Sequence, residues 1–164
     1  MGGPGMKILA LDPGTRESAI IAYRDGVQSD ARKLANDTIL RELYCLAETS
    51  KPLLVIESMV SYGMTVGEEV FTTCVWIGRF VEAYKSRGCE VRMLTRHEVK
   101  MHLCRSARAR DGDVREVLVN RWGGEEKAKG LKKTPGPLYG LSGDMWSALA
   151  LAVTAHEAPE RLKP

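Results

Sequence analysis

The apolar positions of the chain fall into two kinds of run. Short unbroken runs closed by turn residues occupy 8–11, 19–23 and 53–56, and such runs read as buried strands, the first beginning at Lys7. Between the first two lies Asp12-Pro13-Gly14-Thr15. After the second comes Arg24-Asp25-Gly26, a tight hairpin signal, because Asp-Gly supplies the positive φ such turns need. A third strand is expected over 26–34, antiparallel to the second. The other kind of run has helical spacing. Ile39, Leu40, Leu43, Tyr44, Leu46 and Ala47 mark one helix, with Asn36 or Asp37 as its cap and Pro52 beyond its end. Val70, Phe71, Cys74, Ile77, Gly78, Val81 and Tyr84 mark the apolar face of a longer helix over 68–86, punctuated by Gly88. A strand over 90–94 and helices over 96–103 and 113–122 follow. Residues 145–156 are apolar nearly all round, so that last helix must pack deeply.

The run 53–56 is continuously apolar, which predicts a strand parallel to the first and buried on both faces. Residues 58–67 hold two glycines and no periodicity and read as a loop. Residues 123–140, rich in Gly, Lys and Pro, read as a loop or a partly mobile flap. The expected fold is α/β, with a mixed five-stranded sheet whose first three strands are antiparallel, flanked by helices.

Composition narrows the function. At 164 residues and 44% hydrophobic content the chain suits a single globular domain over 6–160. Met1-Gly2-Gly3-Pro4-Gly5 reads as a remnant of cloning, with Met6 as the native start. No apolar run approaches the roughly 20 residues of a membrane span. The four cysteines and three histidines are scattered, which argues against a zinc site or a disulfide framework and suits the cytoplasm. The net charge of +3 hides an asymmetry: residues 79–133 hold 15 Lys/Arg against 8 Asp/Glu, and the remainder 9 against 13. A basic half beside an acidic half suggests a polyanion for the first and a cation for the second.

Three carboxylates stand where this fold would leave an open edge. Asp12 ends the first strand, Glu57 ends the parallel one, and Asp144 starts the deep final helix. Ligand sites of such sheets lie outside the carboxyl ends of the strands. Each acid has an ordinary explanation to overcome. Asp-Pro-Gly is common turn chemistry, with Gly14 taking a positive φ, and Asp144 is a good helix cap. Glu57 is harder to excuse, since a charge continuing a Leu-Leu-Val-Ile run has no structural task. Converging acids repel unless a cation sits between them, and oxygen ligands without His or Cys suit Mg²⁺ or Mn²⁺.

The order Leu11-Asp12-Pro13-Gly14-Thr15, Val55-Ile56-Glu57 and Asp144-Met145-Trp146-Ser147-Ala148-Leu149 resembles the RuvC-type Holliday junction resolvases of the ribonuclease H-like superfamily. The likeness runs in order from Met6 to about His156. The short length and Leu138-Tyr139-Gly140 resemble its bacteriophage branch. The resemblance implies a homodimer that binds four-way DNA junctions and cuts two strands symmetrically with divalent metal. Asp12, Glu57 and Asp144 would be its catalytic and metal-holding residues. The family usually carries a second acid three residues after the position of Asp144, and here that residue is Ser147. The ligand set would be completed by Glu17, by Ser147 as a weak neutral ligand, by a water, or not at all. Lys100, Arg105, Arg108 and Arg110 are expected to contact phosphates, and Tyr62 and Met64 to reach the opened junction. Alternatives are a nuclease of the same fold acting on other branched DNA or flaps, and a junction-binding protein that does not cut. An actin-like ATPase also carries Asp-Pro-Gly-Thr after a strand, but it needs a second phosphate loop that this sequence lacks, so no nucleotide cofactor is expected.

Overall fold

The structure, a computed structural model, describes residues 5–164. All but Gly5 of the expected cloning remnant lies outside the described residues. Five strands form the main sheet: β1 (Lys7–Asp12), β2 (Glu17–Arg24), β3 (Val27–Ala35), β4 (Leu53–Ser58) and β5 (Val91–Thr95), in the order β3-β2-β1-β4-β5. The β1–β2 and β2–β3 pairs are antiparallel, and β4 runs parallel to both β1 and β5. The mixed sheet expected from the hydrophobic runs is the one observed.

Side-chain alternation along β1 and β4 divides the interior into two cores. Leu9, Leu11, Leu54 and Ile56 face α1 (Asn36–Glu48) and α2 (Glu68–Lys85), and meet Ile39, Leu43, Ile77 and Phe80 there. Ile8, Ala10 and Val55 face the other side. Here α3 (Arg96–Cys104), α4 (Asp111–Arg121) and α6 (Met145–Glu157) cover the sheet. Helix α6 has Ala148, Ala150, Ala152 and Ala155 buried, and side chains this small let its backbone lie close against the strands. Parity then settles a functional matter: Asp12 follows Ala10 by two residues and Glu57 follows Val55 by two. Both carboxylates therefore emerge on the α6 side.

Two expectations need correction. The face of α2 that packs inward carries Thr73, Ile77, Phe80, Ala83 and Tyr84. Phe71 and Cys74, expected on it, point outward, and Phe71 is 62% exposed. The helix has apolar residues on more than one face, and the sheet covers only one of them. The segment 123–140 is not a plain loop. It contains a short helix α5 (Glu125–Ala128) and a hairpin of β6 (Gly130–Leu131) and β7 (Thr134–Pro135).

Candidate active site

The turn after β1 is buckled shut by polar contacts. Gly14 N donates to Ser18 Oγ at 3.1 Å, Ser18 Oγ donates to Asn36 Oδ1 at 2.6 Å, and Asn36 Nδ2 donates to Gly14 O at 2.9 Å. This is why Asn36 does not cap α1 as expected. Ala35 is the cap residue, without a side-chain bond, and Asn36 is buried as the strut of the turn. Gly14 also departs from expectation, for it is absent from the glycines with positive φ. It is needed because a Cβ there would stand 2.3 Å from Glu17 O.

Leu11 lies beside Ile56 in the parallel register, so Asp12 and Glu57 leave the sheet as neighbours. Asp12, Glu17, Lys33, Glu57, Arg96 and Asp144 line one cavity of about 610 Å³ at that edge. The three acids singled out from sequence are thus brought together. Glu57 is buried, and burial raises its carboxyl above the usual range, against the pull of Arg96. Asp12 is pushed up to about 7, first by burial and then by the charges of Glu57 and Asp144. Asp144 does stand at the start of α6, but its side chain makes no capping bond there. It accepts instead from Lys33 Nζ at 2.7 Å, across 111 residues of chain.

Two cations therefore belong to the site that the sequence pattern does not single out. Lys33 comes from the sheet edge β3. Arg96 directly follows β5, its Nη1 3.6 Å from Glu57 Oε1 and its Nη2 2.5 Å from Asp111. Arg96 could have been found by asking which residue leaves β5, the strand beside Glu57. A second cavity of about 370 Å³ lies on the other side of Glu57 and Asp144, against α3, α4 and α6. Lys100, Arg115 and Ser147 line it, whereas Glu17 faces the first cavity. Arg105, Arg108 and Arg110 are exposed on and beside the link from α3 to α4, and line neither cavity. Tyr62 and Met64 are also exposed, on the loop that follows Glu57. The Tyr62 ring lies 6.4 Å from that of His97.

Among the described residues no three His, Cys, Asp or Glu side chains stand at metal-ligand spacing. Lys33 and Arg96 neutralise the acids in this arrangement. The donor set nonetheless fits a hard divalent cation, because it is all oxygen and the charges of Glu57 and Asp144 raise the proton affinity of Asp12. A consequence can be measured without activity. A carboxyl whose folded pKa is raised costs nothing below its unfolded pKa near 4, and costs more as pH rises towards 7. In EDTA, Asp12→Asn is therefore expected to raise stability by roughly 1–3 kcal/mol at pH 8 and by little at pH 4.5. Thermal melts at the two pH values check this, and equal shifts at both would refute it.

No family model matches the chain, and no curated protein matches it. Among solved structures, the RuvC structure of Thermus thermophilus matches with a TM-score of 0.69, covering 97% of this chain and 99% of that one, at 16% identity. The T. thermophilus RuvC structure in complex with a Holliday junction substrate matches with the same score and coverage, at 17% identity. The shared feature is the fold: a mixed five-stranded sheet flanked by helices, of the ribonuclease H-like kind.

Proposed function

We propose that residues 6–160 form a metal-dependent, structure-specific endodeoxyribonuclease of the cytoplasm. It resolves four-way DNA junctions by paired, symmetric phosphodiester hydrolysis, as a homodimer. The observation that carries this reading is the shared cavity of Asp12, Glu57 and Asp144 at the carboxyl edge of β1 and β4. The junction-bound RuvC of the same fold supports the choice of substrate, and Leu138-Tyr139-Gly140 supports a place in the bacteriophage branch.

Asp12, Glu57 and Asp144 would hold Mg²⁺ or Mn²⁺, with Glu17 or Ser147 at its margin. A cation there supplies charge to stabilise the phosphorane-like transition state and lowers the pKa of water. The protein's own residues do the rest. The Ser18–Asn36 buckle holds the turn after Asp12 so that the sheet edge stays open. Lys33 and Arg96 hold Asp144 and Glu57 in place before the cation arrives. Lys100 faces the site, and Arg105, Arg108 and Arg110 present exposed charge beside it for phosphates, which gives salt-dependent affinity. Tyr62 and Met64 are free to contact the bases at the junction centre.

A labelled four-way junction and a labelled flap substrate, each incubated with the protein and Mg²⁺, test the proposal. Paired nicks at symmetric positions are expected. Cuts confined to flaps would point to a different branched substrate. A second reading, a junction-binding protein that does not cut, draws on Ser147 standing where the resembled family has an acid. Tight binding with no product in either Mg²⁺ or Mn²⁺ would favour it.

A further inference from the structure

Residues 123–140 join α4 to α6, and their composition gives no hint of a built element. The fold makes one. Ala128 and Leu138 are fully buried at its foot. Leu138 N donates to Ala128 O at 2.7 Å, and Gly136 N donates to Lys129 O at 2.8 Å. Above that foot Gly130 pairs with Pro135 and Leu131 with Thr134. Two glycines are required by close approach. Gly130 has φ +64, and a Cβ on it would stand 2.3 Å from Thr134 O. A Cβ on Gly136 would stand 2.3 Å from Lys127 O. Backbone packed this tightly holds the tip in one orientation.

The tip carries Leu131, 72% exposed, followed by exposed Lys132 and Lys133. Among the described residues neither lysine makes an ion pair, and Glu125 is taken by Lys129 at 2.6 Å. An apolar side chain held out on a rigid tip, beside two unpaired cations, suits a partner with phosphates and apolar surface between them. The root of the hairpin says where that partner lies. Lys129 Nζ is 5.8 Å from the centroid of the Trp146 ring, and the Arg115 guanidinium carbon is 4.8 Å from it. Trp146 and Arg115 line the cavity that Glu57 and Asp144 also face. At about 3.3 Å per strand residue, the tip stands within roughly 10 Å of that root.

We propose that the β6–β7 tip is a second DNA-contact element beside the active site. Lys132 and Lys133 contact phosphates of the arm that leaves the cleft, and Leu131 rests on sugars and base edges in its groove. The inference rests on the nuclease reading above, and the test separates the two. Junction binding is measured in EDTA at several KCl concentrations for wild type, Leu131→Ser, and the double variant Lys132→Ala/Lys133→Ala. Thermal melts should be unchanged, since all three side chains are exposed. The double variant is expected to lower the slope of log affinity against log salt by about 3.6 for the dimer, near 0.9 for each of the four phosphates that its two protomers no longer neutralise. Leu131→Ser is expected to weaken binding about threefold to tenfold without changing the slope. An unchanged slope in the double variant, beside a wild type that binds junctions, overturns the hairpin inference alone. A wild type that binds no DNA overturns the nuclease reading itself. Altered self-association with unaltered DNA binding would assign the tip to a second copy of the chain and also overturn the inference.

Discussion

Asp12→Asn is expected to abolish junction cleavage, by about 10³-fold or more, while junction binding in EDTA stays within about threefold of wild type. The two readouts part because they draw on different residues. In the proposed mode, binding draws on Lys100 of α3, the exposed arginines of the α3–α4 link and the hairpin lysines, none of which lines the cavity of Asp12. In the proposed mechanism, cleavage depends on the carboxylates of Asp12, Glu57 and Asp144, from which one charge has been removed. Neutralising an acid near a polyanion cannot weaken binding through charge, so a large loss of affinity would mean that the fold had suffered. The melting data guard against that reading. Asp12 is held near a pKa of 7 by burial and by Glu57 and Asp144, so its neutral replacement should melt later than wild type at pH 8. Inactive, binding-competent and more stable is a combination that misfolding cannot mimic. Glu57→Gln should repeat it. If Asp12→Asn still cuts paired strands, the proposed site is wrong.

The sequence made the sheet and its open edge legible because both follow from local rules. An apolar run reads as a buried strand, and a charge such as Glu57 that ends it must reach a surface or a site. What could not be read depends on contacts between distant segments. Asn36 has the residue type and place of a helix cap. Its side chain is recruited instead by Ser18 and Gly14, which only the β2–β3 pairing brings near. Asp144 is ambiguous in the sequence for the same reason. Both a cap and a ligand want a carboxylate at a helix start, and Lys33, 111 residues away, decides against the cap. Arg96 is hidden by context, as one cation in a basic stretch where any could have met DNA. Residues 123–140 mislead because Gly, Lys and Pro are the composition of loops. Their order comes from backbone packed on backbone at Gly130 and Gly136, which no side-chain pattern records.

The outward face of α2 supports the proposed dimer. Substituting Phe71→Asp together with Val75→Lys is expected to convert that dimer to a monomer and to replace paired cuts with scattered single nicks. Phe71 and Val75 are 62% and 63% exposed and lie one helical turn apart. Gly78 follows on the same side with open space above it. Between this helix and α1 runs a groove of about 570 Å³, lined by Leu40, Tyr44, Val75 and Gly78 among others. A twofold interface uses each residue twice, so each substitution acts twice on the dimer. At about 1–2 kcal/mol for each side chain already part-buried by its own helix, the loss is roughly 4–8 kcal/mol, or 10³-fold or more in dimer affinity. The folded monomer should survive, because the inward stripe of Thr73, Ile77, Phe80 and Tyr84 is untouched. Light scattering after size exclusion measures the mass, and a nicked-versus-resolved product assay measures the coupling of the two cuts. A variant that remains dimeric would move the interface elsewhere. A monomer that still makes paired, simultaneous cuts would remove the need for twofold symmetry from the proposed mechanism.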